Sequence, residues 1–128
     1  MNLLIDTHAL LWFLLDDFQL GESRADIINA QSNTVYISAA SGFEISNKVR
    51  VGKLPEAMIY LSNLEQVCIQ HSFKILPLNF EHCKLAGMIQ SPHRDPFDRM
   101  LAAQSIIEDM PIMTIDLRIK ELGAEVIW

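Results

Sequence analysis

Short apolar runs of strand character alternate with helical patterns along this chain, and a carboxylate stands at four of the junctions between them. LLID ends at Asp6, SGFE at Glu44, DPFD at Asp98 and MTID at Asp116. Alternation of this kind requires a mainly parallel sheet, because parallel neighbours need long crossovers, which helices supply while covering both faces. In such sheets ligands bind in a crevice beyond the carboxyl ends of the strands. Four acids brought to that edge from distant parts of the chain repel one another unless a cation lies between them. The pattern thus predicts an α/β fold and a divalent-metal site.

The elements follow in order. Asn2–Asp6 reads as a buried strand and Thr7–Leu15 as a helix apolar nearly all round. Glu22–Gln31 reads as an amphipathic helix with Ile27 and Ile28 inward, and β-branched, aromatic Thr34–Ser38 as a strand. Ser41 is expected to open a helix that runs to about Val51 and ends at Gly52. A further helix is expected from Pro55 to about Gln70, then a strand over Phe73–Leu78. Asn79 caps a helix to about Ile89. After the polar loop Ser91–Asp95, Pro96 suits the first position of a helix reaching Asp109. PIMTID is a strand, Leu117–Leu122 a short helix and AEVIW a closing strand. There is no repeat, low-complexity tract or linker, so residues 1–128 are expected to form one domain.

The 128 residues are half hydrophobic and carry a formal net charge of −6. That balance describes a packed globular chain and is a mild objection to a nucleic-acid partner, since such partners favour basic surfaces. The objection is local, however: Lys48, Arg50 and Lys53 follow Glu44, while Arg94 and Arg99 bracket Asp95 and Asp98. Cys68 and Cys83 lack metal-binding spacing and are expected to be reduced and half-buried. The longest apolar run, Ala9–Leu15, is far short of a membrane span, and a cytoplasmic protein is the expectation.

Each acid also has a structural explanation. Asp6 and Asp116 stand where Asp commonly caps a helix. Ser41 and Glu44 fit an S-x-x-E capping box, and Asp95-Pro96-Phe97-Asp98 reads as cap, Pro at the first position and an acid at the third. Capping and ligation are compatible, because a residue in a helix's first turn can hold a metal. Taken jointly, an all-carboxylate set without His or Cys suits Mg²⁺ or Mn²⁺ and not zinc. Such a site can activate water against a phosphodiester.

DTHALLW (Asp6–Trp12), SAASGFEISNKVRVGKL (Ser38–Leu54), HRDPFDRMLAAQ (His93–Gln104) and TIDLRIKELGAEVIW (Thr114–Trp128) resemble the PIN domain of VapC-type toxins, from bacterial toxin–antitoxin pairs. The resemblance runs nearly end to end, with Ser46-Asn47 a modest departure in the weakest segment. It implies a PIN-like domain whose acidic quartet falls on Asp6, Glu44, Asp98 and Asp116. It further implies Mg²⁺- or Mn²⁺-dependent endoribonuclease activity on RNA, and a cognate antitoxin whose C-terminal segment fills the crevice. The D-x-x-L-A-A register matches the family's metal-binding acid at Asp98, leaving Asp95 as cap or supporting acid.

Thr114 is a candidate to support a metal-bound water, and Lys48, Arg94 and Arg99 are candidates for RNA phosphates. His8 and His93 are weighed as structural more often than functional. The apolar Ala9–Leu15 stretch suggests a homodimer through the first helices. A haloacid-dehalogenase-type phosphatase needs a second Asp where His8 stands, and a receiver domain needs paired acids at the first strand. An RNase H-like nuclease opens on an antiparallel meander that the helix after Asp6 precludes. The rival that survives is a PIN-like domain that binds RNA or protein without cutting, whose mark is a missing acid, and none is missing.

Overall fold

A computed structural model describes all residues, 1–128. Five strands, β1 (Asn2–Ile5), β2 (Thr34–Ser38), β3 (Lys74–Leu76), β4 (Ile112–Met113) and β5 (Val126–Ile127), form one sheet in the order β3-β2-β1-β4-β5, and every pairing is parallel. The helices are α1 (Thr7–Leu14), α2 (Glu22–Asn29), α3 (Ala39–Arg50), α4 (Met58–Leu61), α5 (Leu64–Gln70), α6 (Phe80–Met88), α7 (Pro96–Ile107) and α8 (Arg118–Glu121).

The pleat sends alternate residues to opposite faces, and both faces are covered. Leu3, Ile5, Val35, Ile37 and Met113 pack beneath Leu10 of α1, Ile28 of α2, Ile45 and Val49 of α3 and Cys68 of α5. Leu4, Leu76 and Ile112 face the other way, onto Leu101 and Ala102 of α7, Ile119 of α8 and Leu122 just after it. The chain leaves β1 towards β2 on one side, while β4 lies on the other. The carboxyl ends of β1 and β4 therefore flank the point where the strand order reverses, the usual place for a ligand crevice.

Several local readings change. Helix α3 starts at Ala39, two residues earlier than expected, because Ser38 at the end of β2 takes the cap and accepts the Ala40 amide. Ser41 lies inside the helix, so the Ser41–Glu44 capping box does not form and Glu44 falls in the second turn. The C-terminus behaves as expected. Gly52 has φ 80°, and the Lys53 and Gly52 amides return to the Lys48 and Val49 carbonyls at 2.8 and 3.1 Å. The single helix expected over 55–70 is broken into a 3₁₀ turn (Pro55–Ala57), α4 and α5. β3, β4 and β5 are shorter than their apolar runs. Cys68 is buried and Cys83 exposed, where both were expected half-buried.

Helix α1 places Ala9, Leu10 and Leu11 in the core and packs the inner sides of Trp12, Phe13 and Leu14 against it. Most of the apolar surface that suggested a dimer is thus internal. What remains opens, with the exposed Phe18, onto a groove of about 660 Å³. Asn79 and His82 close a reciprocal cap on α6, with His82 Nδ1 accepting the Asn79 amide. The proton is then on Nε2, which donates to Glu108 at 2.9 Å and ties α6 to the end of α7.

Candidate functional site

A crevice of about 450 Å³ opens at the carboxyl ends of β1 and β4, and Asp6, Glu44, Asp95, Asp98 and Asp116 all line it, with Lys48. Four separate chain segments deliver these acids to one place, but only Asp6 and Asp116 stand just past a strand. Glu44 lies in the second turn of α3, and Asp95 and Asp98 open α7, which follows α6 and a loop and not a strand, contrary to the four βα junctions expected. Asp6 follows β1 directly and caps α1, accepting the Ala9 amide at 2.7 Å. Asp95 caps α7 through the Phe97 and Asp98 amides at 2.8 and 3.3 Å, so the register that makes it a cap holds.

The acids differ in their partners. Glu44 is nearly buried, and both its oxygens are engaged: Thr7 Oγ1 donates to Oε1 at 2.5 Å, and Lys48 Nζ stands 2.5 Å from Oε2. Ser41 Oγ lies 2.9 Å from the same threonine hydroxyl. Asp116 is gripped by Arg118, whose Nε and Nη2 reach the two carboxylate oxygens at 3.0 and 2.7 Å. That bidentate pairing holds the Asp116 carboxyl below its ordinary value.

Asp6 and Asp98 have no such cation. Burial pushes the Asp6 carboxyl up, against hydrogen bonds from Thr114 and the Ala9 amide, and the charge of Glu44 adds to the rise. Burial also raises Asp98, with the charges of Asp95 and Asp116 adding to the effect. His93 Nε2, 2.7 Å from Asp98 Oδ2, works in the opposite direction. Thr114, fully buried, hydrogen-bonds Asp6 and accepts the Asp116 amide at 3.0 Å, so it joins the two acids at the β1 and β4 ends.

Two candidates lie outside this crevice. Arg99 is not available to RNA: Nε reaches the Ala86 carbonyl at 2.8 Å, Nη1 the His93 carbonyl at 2.8 Å and the Ser91 carbonyl at 3.4 Å, and Nη2 the Ile89 carbonyl. It ties the end of α6 to the loop that carries His93. Arg94 is exposed but faces a separate hollow beside Cys83 and Met100. Conversely, Thr7 and Arg118 belong to the site and were not singled out, and Ser41, read only as a cap, belongs to it too. Their signal is a hydroxyl beside Asp6, a serine three before Glu44 and a cation two after Asp116. His93, weighed as structural, contacts a crevice acid directly.

No three His, Cys, Asp or Glu side chains converge closely enough to cage an ion by themselves. The donor set instead fits a hard cation that takes one or two carboxylates directly and completes its sphere with water, as Mg²⁺ does. Asp6 and Asp98 are the acids that no lysine or arginine pairs.

A doubly wound parallel sheet with an acidic crevice at its switch point defines an α/β protein with a carboxylate-lined ligand site. The family model of the PIN domain matches residues 3–125, and the chain belongs to that family. Among solved structures it is similar to FitAB bound to an IR36 DNA fragment, with 19% identity, a TM-score of 0.71, and 98% of this chain and 93% of that one covered. It is also similar to VapBC2 from Rickettsia felis bound to a DNA fragment from their promoter (14% identity, TM-score 0.64, coverage 99% and 98%). A domain of a functionally unknown protein from Methanocaldococcus jannaschii gives 14%, 0.59, and 99% and 89%. These likenesses show the fold. No curated protein matches the chain significantly in sequence. No helix is long and apolar enough to cross a membrane.

Proposed function

We propose that this PIN-domain protein is a metal-dependent endoribonuclease, the toxin of a toxin–antitoxin pair, with Asp6, Glu44, Asp98 and Asp116 as its catalytic acids. The observation that carries the reading is the convergence of Asp6, Glu44, Asp98 and Asp116 on one crevice, in which Glu44 and Asp116 are paired by Lys48 and Arg118 while no lysine or arginine pairs Asp6 or Asp98. A Mg²⁺ or Mn²⁺ ion held by Asp6 and Asp98, with Asp116 and Glu44 adding charge beside it, offsets that repulsion. When bound, the ion supplies an activated water and neutralises charge on the scissile phosphate. The protein's own contribution is orientation. Thr114 fixes Asp6 and the Asp116 amide, His93 fixes Asp98, and Lys48 and Thr7 fix Glu44. Arg118, largely exposed, is within reach of a phosphate at the crevice mouth.

The VapBC and FitAB likenesses support an antitoxin partner. A crevice with two uncompensated carboxylates favours an Arg side chain, whose planar fork bonds carboxylates bidentately. We assign the protein to the cytoplasm, where RNA is, and propose a homodimer through the exposed part of the Trp12–Phe18 groove. The test is incubation of the purified protein with a panel of structured RNAs in Mg²⁺, Mn²⁺ or chelator, beside Asp6→Asn. Cleavage confined to wild type with metal is the expected result. Metal-dependent stabilisation without cleavage of any RNA favours the non-cutting PIN-like domain.

A further inference from the structure

Helix α3 presents a second surface next to the crevice. Phe43 precedes Glu44, Phe97 precedes Asp98, and their rings meet across α3 and α7 with centroids 5.6 Å apart and a tilt of 37°. Phe43 is nevertheless 64% exposed. An exposed phenylalanine held in one orientation by a second ring presents a fixed aromatic face.

The surroundings of that face are cleared. Gly42 beside it has open space where a Cβ would stand, and Ala39, one turn before it, is small. Ser46, one turn after it, turns its hydroxyl back onto the Gly42 and Phe43 carbonyls. Seven residues on, at the same angular position and roughly 10 Å along the axis, stands Arg50. Its guanidinium bonds the neutral Asn47 amide at 2.7 Å and no carboxylate, and Lys53 just beyond also has no acidic partner. By contrast, the cations inside the crevice, Lys48 and Arg118, are already paired.

We infer that Phe43, braced by Phe97, is a stacking platform for one unpaired RNA base, with Arg50 receiving a phosphate of the same strand along α3. The inference rests on the ribonuclease reading and adds where the strand lies. Electrostatics point the same way. In a chain of net charge −6 with an acidic crevice, phosphate contacts contribute less than on a basic surface, whereas base stacking is indifferent to that charge. Neither ring lines the crevice, but each belongs to the residue just before a crevice acid, so the platform lies within a helical turn of Glu44 and Asp98.

The experiment uses a fluorescein-labelled single-stranded RNA dodecamer and a set of the same oligomer with one abasic residue at each position. Binding is followed by anisotropy in Mg²⁺ on the Asp6→Asn protein, which suppresses cleavage. Phe43→Ala in that background should weaken binding roughly tenfold or more. One abasic position should cause a similar loss in the parent protein and no further loss in Phe43→Ala. Phe43→Trp should restore affinity, and Arg50→Ala should lower the salt slope by about one phosphate. Equal affinity for parent and Phe43→Ala, or a flat abasic scan, overturns the platform while leaving the nuclease reading standing on wild-type cleavage of the same RNA. A change of oligomeric mass in Phe43→Ala by light scattering also overturns it, assigning the face to self-association. Failure of wild type to bind or cut any RNA removes both readings together.

Discussion

Replacing Arg99 by methionine keeps the length and apolar stem of the side chain but removes every hydrogen bond its guanidinium makes. Three of these are short, to the carbonyls of Ala86, His93 and Ile89, and a fourth, to Ser91, is longer. Hydrogen bonds from a charged donor are worth about 1.5–3 kcal/mol each, and neutral ones about 1. The carbonyls here are partly buried, so water can replace some of what is lost, and about 1 kcal/mol for each short bond is the appropriate end of the range. Arg99→Met should therefore cost about 3 kcal/mol, a large part of a typical domain's 5–15. Lysine can reach one or two of the carbonyls but cannot fork, so Arg99→Lys should lose about 2 kcal/mol. Urea melts of wild type and both variants, at constant slope, measure the difference. Because Nη1 also holds the loop whose His93 meets Asp98, the Mg²⁺-induced rise in Tm should shrink in both variants. A loss below about 0.5 kcal/mol for Arg99→Met, the range of an ordinary surface change, refutes the clamp and returns Arg99 to the list of RNA-binding cations.

The remaining predictions concern the acids. Asp98→Asn should abolish RNA cleavage and leave stability at pH 7 equal or higher, since it removes a carboxylate that burial disfavours; Asp95→Ala should instead lose about 0.5–2 kcal/mol, the cost of a helix cap, with part of the activity kept. Denaturant melts and cleavage rates on the pair decide this, and the reverse pattern assigns the ligand to Asp95. The raised Asp6 and Asp98 carboxyls bind protons more readily folded than unfolded, so their stabilising contribution is fully present below the unfolded value of 3.8 and lost as pH rises through their folded values. Asp116, lowered by Arg118, contributes stability that is fully present above the unfolded value of 3.8 and lost only as pH falls below it, so it is constant across this range. In chelator, stability relative to the Asp6→Asn, Asp98→Asn double variant should therefore improve on going from pH 7 towards 4; a constant difference sinks the assignment. Cleavage should leave 5′-phosphate and 3′-hydroxyl ends and stop in EDTA, because a water attacks and no 2′-hydroxyl is needed; cyclic phosphate termini contradict it. Expression of the chain alone should slow growth and Asp6→Asn should not, with equal harmlessness of two soluble, folded proteins counting against a toxin.

What the sequence determined by itself is everything that depends on near neighbours. Strand and helix alternation required a parallel two-faced sheet. Asp6 and Asp95 were legible as caps because a cap bonds amides two or three residues away, and Gly52 as a stop because it alone in its segment adopts a positive φ cheaply. Junction placement was enough to bring Asp6 and Asp116 to one edge, since parallel strands end on the same side, whereas Asp98 reaches it only through the packing of α7, which follows another helix. Where two local solutions competed, the sequence pointed to the wrong one: the S-x-x-E pattern gave the cap to Ser41, and only the point at which β2 leaves the sheet gave it to Ser38. Which acids retain uncompensated charge was decided by tertiary structure. Thr7 meets Glu44 and Ser41 across more than thirty residues, and the fate of Arg99 depends on carbonyls of another helix. Burial, which raises Asp6 and Asp98, is a property of the packed layers and of no segment alone. Charge acts through distance and solvent, and both are set only when the chain has folded.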